Sequence, residues 1–102
     1  MIEMSQEQLE VRSEEASSLL KLMSNRVRLL VLCRLYEQEV TVGELQRSLG
    51  ISQSALSQHL SLLRAAKLVS TRRQGVEIYY SISDSRVAIL LEALQRAICF
   101  ED

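Results

Sequence analysis

The spacing of apolar residues predicts helices at the start of the chain. From about Glu7 to Met23, apolar positions recur at the three- and four-residue steps of an amphipathic helix. Asn25 has the chemistry of an N-cap. Residues 27–35 after it are apolar nearly all round, so we expect this second helix to lie in the centre of the domain.

Residues 41–66 predict two short helices joined by a tight turn. Thr41 has N-cap chemistry, and Glu44 three residues later completes a capping box. Gly50 supplies the backbone conformation that a sharp turn needs, and Ser52 can cap the second helix. Together these signals predict a helix-turn-helix.

The pattern then changes from helical to extended. Residues 69–73 and 76–82 are rich in β-branched and aromatic residues, with Gln74 and Gly75 between them, and they predict a β-hairpin. Asp84 can cap a last helix over about 84–99. We expect one domain over 1–102, mainly α with a β-hairpin wing at 69–82. This is a winged helix-turn-helix with the order α-α-α-α-β-β-α.

The second helix of the motif has two different faces. Leu56, Leu60 and Leu63 share one side, and His59 lies close to the middle of that side. The opposite face has no acid and offers short donors and acceptors, the chemistry that reads base edges in a major groove. Its residues are Gln53, Ser54, Ser57, Gln58, Ser61 and Arg64. The competing interpretation is a solvated polar face, because helix-turn-helix spacing also occurs in proteins that do not bind DNA.

The distribution of charge favours DNA more than the total does. The net charge is −1, yet all 13 acidic residues lie outside the segment between Glu44 and Glu77. The bases of that segment are Arg47, Arg64, Lys67, Arg72 and Arg73. A neutral chain with one cationic surface still binds phosphate, because the local field sets counterion release.

The predicted wing carries Arg72, Arg73 and Gln74, which are placed to meet a phosphate or enter the minor groove. Because side chains alternate along a strand, Arg72 and Arg73 point to opposite faces, and at most one of them is expected to point at DNA. Tyr79 and Tyr80 are expected to pack within the hairpin and core.

Other classes of protein find little support. No apolar run approaches the roughly 18–20 residues of a membrane span, and the acidic N-terminus has no apolar signal core, so we expect a cytoplasmic protein. No catalytic set, phosphate loop or cofactor motif is present, so an enzyme is not expected. His59 is the only histidine, and we expect it to be partly buried and bonded to backbone or to a phosphate rather than to a metal.

Cys33 and Cys99 leave two interpretations open. Two buried thiols are the ordinary case in a cytosolic protein. The alternative is a thiol switch, because Cys99 lies at the end of the chain and Cys33 lies on a helix expected to pack near the last one.

Three segments resemble the ArsR/SmtB family of bacterial winged-helix repressors. They are LLKLMSNRVRLLVLCRL (19–35), TVGELQRSLGISQSALSQHLSLLRAAKLV (41–69) and TRRQGVEIYYSI (71–82). The resemblance covers about residues 14–99. It implies a homodimer formed through the first and last helices, about 7–23 and 84–99. It also implies double-stranded DNA as partner, an inverted repeat read by two recognition helices roughly 34–36 Å apart.

The resemblance also bears on the inducer. Many family members sense metals through cysteines on the first helix of the motif or through Asp, His and Glu on the last helix. Here ELQRSL (44–49) has no Cys and the last helix has no His, so no metal is expected at those positions. Cys33 and Cys99 are similar to the dithiol pair of the persulfide-sensing branch. This similarity implies that reactive sulfur species link them through a disulfide or polysulfide, weakening operator binding. Peroxide or a thiophilic metal acting on the same thiols is the alternative, and a protein-interaction or anti-repressor module is a further one.

Overall fold

A computed structural model describes residues 3–98 of the chain. The helices and strands follow one another as α1 (Gln6–Met23), α2 (Arg26–Glu37), β1 (Val40–Thr41), α3 (Val42–Leu49), α4 (Gln53–Ala65), β2 (Val69–Gln74), β3 (Glu77–Ile82) and α5 (Ser85–Ala97). The predicted winged helix-turn-helix is confirmed, with α3 and α4 as its motif and β2–β3 as its wing. β1 was not predicted, so the order observed is α-α-β-α-α-β-β-α.

The sheet has three antiparallel strands in the order β1-β3-β2. Val40 pairs with Tyr80 across β1 and β3, and Val69 pairs with Ile82 across β2 and β3. Gly75 and Val76 form the turn between Gln74 and Glu77, and Gly75 adopts a φ of 65°. Glycine reaches this left-handed conformation at little cost, which suits it to a two-residue turn.

The predicted helix caps are all observed. The Thr41 side chain accepts a hydrogen bond from the Glu44 N–H while Glu44 Oε1 accepts from the Thr41 N–H at 2.8 Å. Gly50 ends α3 in the left-handed conformation, with a φ of 66°. Asn25, Ser52 and Asp84 likewise cap α2, α4 and α5. These caps satisfy backbone N–H groups that have no partner inside a helix, which is why the boundaries fall where they do.

The core is built around α2, as its all-round apolar character predicts. This helix packs against α1, α3, α4, α5 and β3. The buried apolar side chains come from every helix and from the start of the wing: Leu19, Met23, Val31, Leu32, Leu35, Leu45, Leu56, Leu60, Leu63, Leu68, Val69, Val87 and Leu91. None of the helices in residues 3–98 has the length and apolar character that would carry it across a membrane.

α1 buries less of its apolar stripe than its spacing suggests. Leu19 and Met23 are buried, whereas Leu9 and Leu20 are exposed. The reason is that α1 meets the core only near its C-terminal end, where it joins α2. The remaining apolar side chains of α1 are therefore left on the surface of the single chain.

The junction between α4 and the wing is tightly bonded. Lys67 adopts a φ of 64°, its N–H donates to the Arg64 carbonyl at 2.9 Å, and the Leu68 N–H donates to the Leu63 carbonyl at 3.0 Å. These two bonds are those of a Schellman ending, in which glycine usually holds the left-handed position. Ser83 closes the junction, donating from its backbone N–H to the Leu68 carbonyl and from Oγ to the Lys67 carbonyl, each at 3.0 Å.

Candidate DNA-binding surface

The polar face predicted on α4 lies on the surface of the protein. All six of its residues are exposed: Gln53, Ser54, Ser57, Gln58, Ser61 and Arg64. Ser54 lies 3.4 Å from Ser52, Oγ to Oγ. Within residues 3–98, the other five side chains make no hydrogen bond or ion pair. We call these six residues the reading face.

The opposite side of α4 fixes this orientation. Leu56, Leu60 and Leu63 are fully or almost fully buried in the core. Because they lie on one stripe of the helix, rotating α4 away from its position would expose all three together. The cap of Ser52 at the helix start leaves the first turn of α4 at the surface, where its dipole favours an anion.

Leu62 is a residue of this surface that the sequence did not single out. It is 49% exposed and lines a shallow depression together with Ser57, Gln58, Ser61 and Ala65. An apolar side chain beside polar ones can contact the methyl group of thymine in a major groove. Its position one step around the helix from Ser61 was the available signal.

The two wing arginines occupy opposite faces of the hairpin. Arg72 pairs with Tyr79 and Arg73 with Ile78, so Arg73 shares its face with Ile78 and Arg72 shares its face with Tyr79. The Arg72 guanidinium bonds to the Glu39 carboxylate and to Gln74, and it lies 4.5 Å from the centroid of the Tyr79 ring. Arg73 is exposed and makes no ion pair within residues 3–98.

The tip of the wing carries an exposed apolar residue, Val76, of which 89% is accessible. It follows Gly75 in the turn, and neither position packs against the core. Apolar residues at such tips can enter the minor groove beside a basic residue. The sequence analysis treated Val76 only as part of a strand.

His59 is partly buried, as expected, but its partner is a side chain. Its Nδ1 lies 3.2 Å from Nη1 of Arg28, whose Nε donates to the Leu22 carbonyl at 2.5 Å. The expected bond to backbone or phosphate is therefore not the one formed. Since a guanidinium only donates, His59 Nδ1 accepts, and the ring proton of the neutral imidazole resides on Nε2. Arg28 thereby joins the end of α1 to the recognition helix.

The two cysteines can be described only in part. Cys33 is exposed on α2, so burial of this thiol is not observed. Cys99 lies outside the described residues, immediately after Ile98. Near Cys33, the Tyr36 hydroxyl donates to Glu92 of α5 at 2.6 Å, and this bond raises the pKa of Tyr36 above 10.0. The seam between α2 and α5 is therefore held by a polar contact one turn from Cys33.

An apolar groove runs between α1 and α5. It is lined by Ala16, Leu19, Leu20, Ile89 and Leu90, with charged residues at its edge. Arg86 bridges the two helices there, binding Glu15 at 3.0 Å and Asp84 at 2.7 Å. Ile89 is 62% exposed. Across the described part of the chain, no three His, Cys, Asp or Glu residues gather closely enough to hold a metal.

Comparison with known proteins agrees with this architecture. The sequence profile described as bacterial regulatory protein, arsR family, matches residues 25–71. The Biofilm growth-associated repressor of Xylella fastidiosa is 40% identical over 99 residues, which is 97% of this chain and 87% of that protein. The transcriptional activator HlyU of Vibrio cholerae is 44% identical over 96 residues, 94% of this chain and 89% of that one.

Solved structures give the same picture. Reduced HlyU from Vibrio cholerae superposes with a TM-score of 0.87 at 44% identity, covering 91% of this chain and 98% of that one. NolR from Sinorhizobium fredii superposes with a TM-score of 0.83 at 46% identity, covering 99% and 100%.

The fold and the exposed face of α4 define a winged-helix DNA-binding protein. The chain belongs to the ArsR family of bacterial regulatory proteins. It is a transcriptional regulator of a family that binds DNA and is not enzymatic.

Proposed function

We propose that this chain is a repressor that binds an inverted-repeat operator as a homodimer. In this proposal, linkage of Cys33 to Cys99 by reactive sulfur species weakens operator binding. One observation carries the proposal. Cys33 is exposed on α2, and α2 is hydrogen-bonded to α5, the helix whose described end directly precedes Cys99.

The DNA contacts of the proposal divide by chemistry. Gln53, Ser54, Ser57, Gln58 and Ser61 read base edges or bind nearby phosphates, because their amide and hydroxyl groups both donate and accept. Arg64 and Arg73 bind phosphates. Supporting this division, these side chains are exposed, and most of them have no internal partner within residues 3–98.

The dimer forms through the groove between α1 and α5, with a second copy of the chain as its occupant. Leu9 and Leu20 of α1 and Ile89 of α5 are exposed apolar residues on these two helices. A chain of this length gains substantially from burying such a surface. A two-fold axis at this seam gives two recognition helices and therefore an inverted-repeat operator.

The switch reaction consumes sulfane sulfur. The thiolate of one cysteine attacks a sulfane sulfur of the polysulfide and becomes a persulfide, and a shorter polysulfide or hydrosulfide departs. The second thiolate attacks the inner sulfur of that persulfide, forming the disulfide and releasing hydrosulfide. The two thiols lose two electrons and the sulfane sulfur gains them. Further sulfane sulfur retained between the cysteines gives a polysulfide bridge.

A link between Cys33 and Cys99 would fix the end of α5 against α2. Because α5 also contributes to the proposed dimer seam, a change in its position alters the separation of the two recognition helices. The coupling required is modest, since a tenfold loss of affinity corresponds to about 1.4 kcal/mol.

The thiol switch is tested by operator binding before and after treatment with inorganic polysulfide. We expect the wild type to lose at least tenfold in affinity, at about 1.4 kcal/mol per tenfold, and to recover it with dithiothreitol. Cys33→Ser and Cys99→Ser should each bind as the reduced wild type does and not respond. The double variant is the matched control for reactions elsewhere. Release of DNA by either treated single variant would show that the pair is not the switch.

The identity of the inducer is tested by intact-protein mass. Polysulfide should yield a linked chain that has lost two hydrogens, with or without inserted sulfur atoms. Peroxide would instead add oxygen to a thiol or give the plain disulfide. Release of DNA by Cd²⁺ or Zn²⁺ without a covalent change would favour thiophilic-metal sensing through the same two cysteines.

The dimer is tested by light scattering after gel filtration. Ile89→Glu should shift the mass of the particle from two chains to one, because it places a carboxylate in the apolar groove. Val76→Glu makes the same kind of change at the exposed wing tip and should leave the mass at two chains. A wild type that remains a single chain would contradict the proposed interface.

A second candidate function is relief of another repressor. It is favoured by the description of the similar HlyU as a transcriptional activator. In vitro transcription separates the two functions. A repressor lowers the output of a promoter carrying its operator, whereas an anti-repressor raises output only when the other repressor is present.

A further inference from the structure

The outer face of the wing contains a polar contact that the DNA interface does not explain. We propose that Arg72 is a positioning residue that does not touch DNA. With Glu39 and Tyr79 it forms a strut across the sheet, and this strut holds the wing so that Arg73 and Val76 meet the duplex. The inference rests on the proposed DNA interface for its consequence, although the strut itself is a property of the protein alone.

Every nitrogen of the Arg72 guanidinium is engaged. Nε donates to both Glu39 oxygens at 3.0 and 2.9 Å, Nη2 donates to Glu39 Oε1 at 2.5 Å, and Nη1 donates to Gln74 Oε1 at 2.7 Å. The plane of the group lies over Tyr79, 4.5 Å from its centroid. A phosphate would have to displace the carboxylate from the same fork of donors.

The strut crosses the whole sheet. Arg72 is on β2, Tyr79 is its partner on β3, and Glu39 directly precedes β1 on the far side of β3. Two strand spacings are about 9–10 Å, a distance that only a long side chain covers. β1 has just two residues, so its ladder holds the sheet weakly at this edge. The side-chain contact therefore adds a connection that the short strand cannot supply through its backbone.

Electrostatics make release of Arg72 unfavourable for DNA binding. If Arg72 turned to a phosphate, the Glu39 carboxylate would remain on the wing without its counter-charge, near a polyanion. The hydrogen bond from Arg72 lowers the pKa of Glu39, so the pair stays ionised through the neutral range. With the pair intact, the wing presents Arg73 as its cation on the opposite face.

The salt dependence of operator binding distinguishes a phosphate contact from a strut. Each phosphate contact contributes about −0.9 to the slope of log affinity against log salt. We expect Arg73→Gln to reduce the steepness by about that amount. Arg72→Gln should leave the slope unchanged while weakening binding by about fivefold, since the wing is less well held. Glu39→Gln should weaken binding in the same way, and the double variant should be no weaker than either single one.

A measurement without DNA tests the strut separately. Amide hydrogen exchange in residues 69–82 should accelerate in Arg72→Gln and Glu39→Gln and stay at the wild-type rate in Arg73→Gln. Unchanged exchange in the first two variants would overturn the strut. A reduced salt slope in Arg72→Gln, or tighter binding in Glu39→Gln, would overturn it as well, because both results mean that Arg72 serves phosphate. If exchange accelerates but no arginine variant alters the slope, the strut stands and the proposed DNA interface fails.

Discussion

The reading face of α4 and the seam between α1, α2 and α5 are both polar at the surface, but their polar groups are used differently. Gln53, Ser57 and Gln58 have no side-chain partner within residues 3–98. On the seam, Tyr36 binds Glu92 and Arg86 bridges Asp84 to Glu15.

This difference separates recognition from positioning. A donor without an internal partner is free to exchange water for a base or phosphate, so little is lost on binding. A donor already bonded to the protein fixes the geometry of the elements it joins. The wing contains both kinds side by side, since Arg73 has no ion pair within residues 3–98 and Arg72 is fully engaged.

The largest effect is expected from an acid on the reading face. Gln58→Glu should weaken operator binding about 100-fold, because it removes an amide that reads bases and adds repulsion from phosphate. Gln95→Glu makes the same change on α5 and should bind within about twofold of the wild type. Fluorescence anisotropy at fixed salt measures both. Equal losses in the two variants would erase the distinction between face and seam.

A smaller effect is expected from the cap of α5. Asp84→Ala should lower the free energy of unfolding by about 1 kcal/mol, because it removes the N-cap and one end of the Arg86 bridge. The neighbouring exposed Ser85→Ala is the control and should change little. Chemical denaturation gives both values.

The same cap predicts a dependence on pH. The hydrogen bond from Arg86 lowers the pKa of Asp84 below 3.8. A lowered pKa means that the folded state binds the proton less readily, so the stabilisation is present above the ordinary range of Asp. It is lost as the pH falls through the lowered value. Asp84→Ala should therefore show a shallower loss of stability in acid than the wild type.

The link between Arg28 and His59 is expected to matter to a comparable or smaller degree. His59→Ala should cost about 1 kcal/mol of stability, because Arg28 loses its acceptor. His59→Asn places an oxygen near the former Nδ1 and should recover part of that loss. The salt slope of operator binding should not change in either variant. A slope reduced by about 0.9 would instead identify His59 as a phosphate contact.

The smallest effect is expected at Tyr36. Tyr36→Phe should cost about 0.5–1 kcal/mol and leave operator binding of the reduced protein unaltered. Because the pKa of Tyr36 is raised above 10.0, its contribution is present below that value and lost as the pH rises through the higher one. The tyrosinate absorbance of the wild type minus that of Tyr36→Phe should show this late titration. A difference spectrum that titrates at 10.0 or below would mean that the Glu92 bond does not form in solution.

The helices and the reading face could be predicted because their signals are local. The capping box of Thr41 and Glu44 needs only three residues of separation, and the apolar stripe of Leu56, Leu60 and Leu63 repeats within one helix. β1 escaped prediction because two residues carry no period. Its existence depends on pairing with Tyr79 and Tyr80, far along the chain.

The partners of individual side chains were less predictable for the same reason. Strand alternation separates Arg72 from Arg73, but only the position of β1 brings Glu39 to Arg72. The apolar wheel placed His59 near the core, yet its partner Arg28 comes from the start of another helix. The pairing of Cys33 with Cys99 stays a prediction, because Cys99 lies outside the described residues.

The junction at Lys67 has a consequence for the kind of operator that this protein reads. Hydrogen bonds from Leu68, Lys67 and Ser83 join the end of α4 to both wing strands. Within one protomer, the major-groove element and the minor-groove element therefore form a ruler of fixed length. Adjustment to a bent or overwound duplex has to occur at the dimer seam. Each half-site should tolerate no inserted base pair between its two contacts, whereas the spacer between half-sites is the variable that an inducer controls.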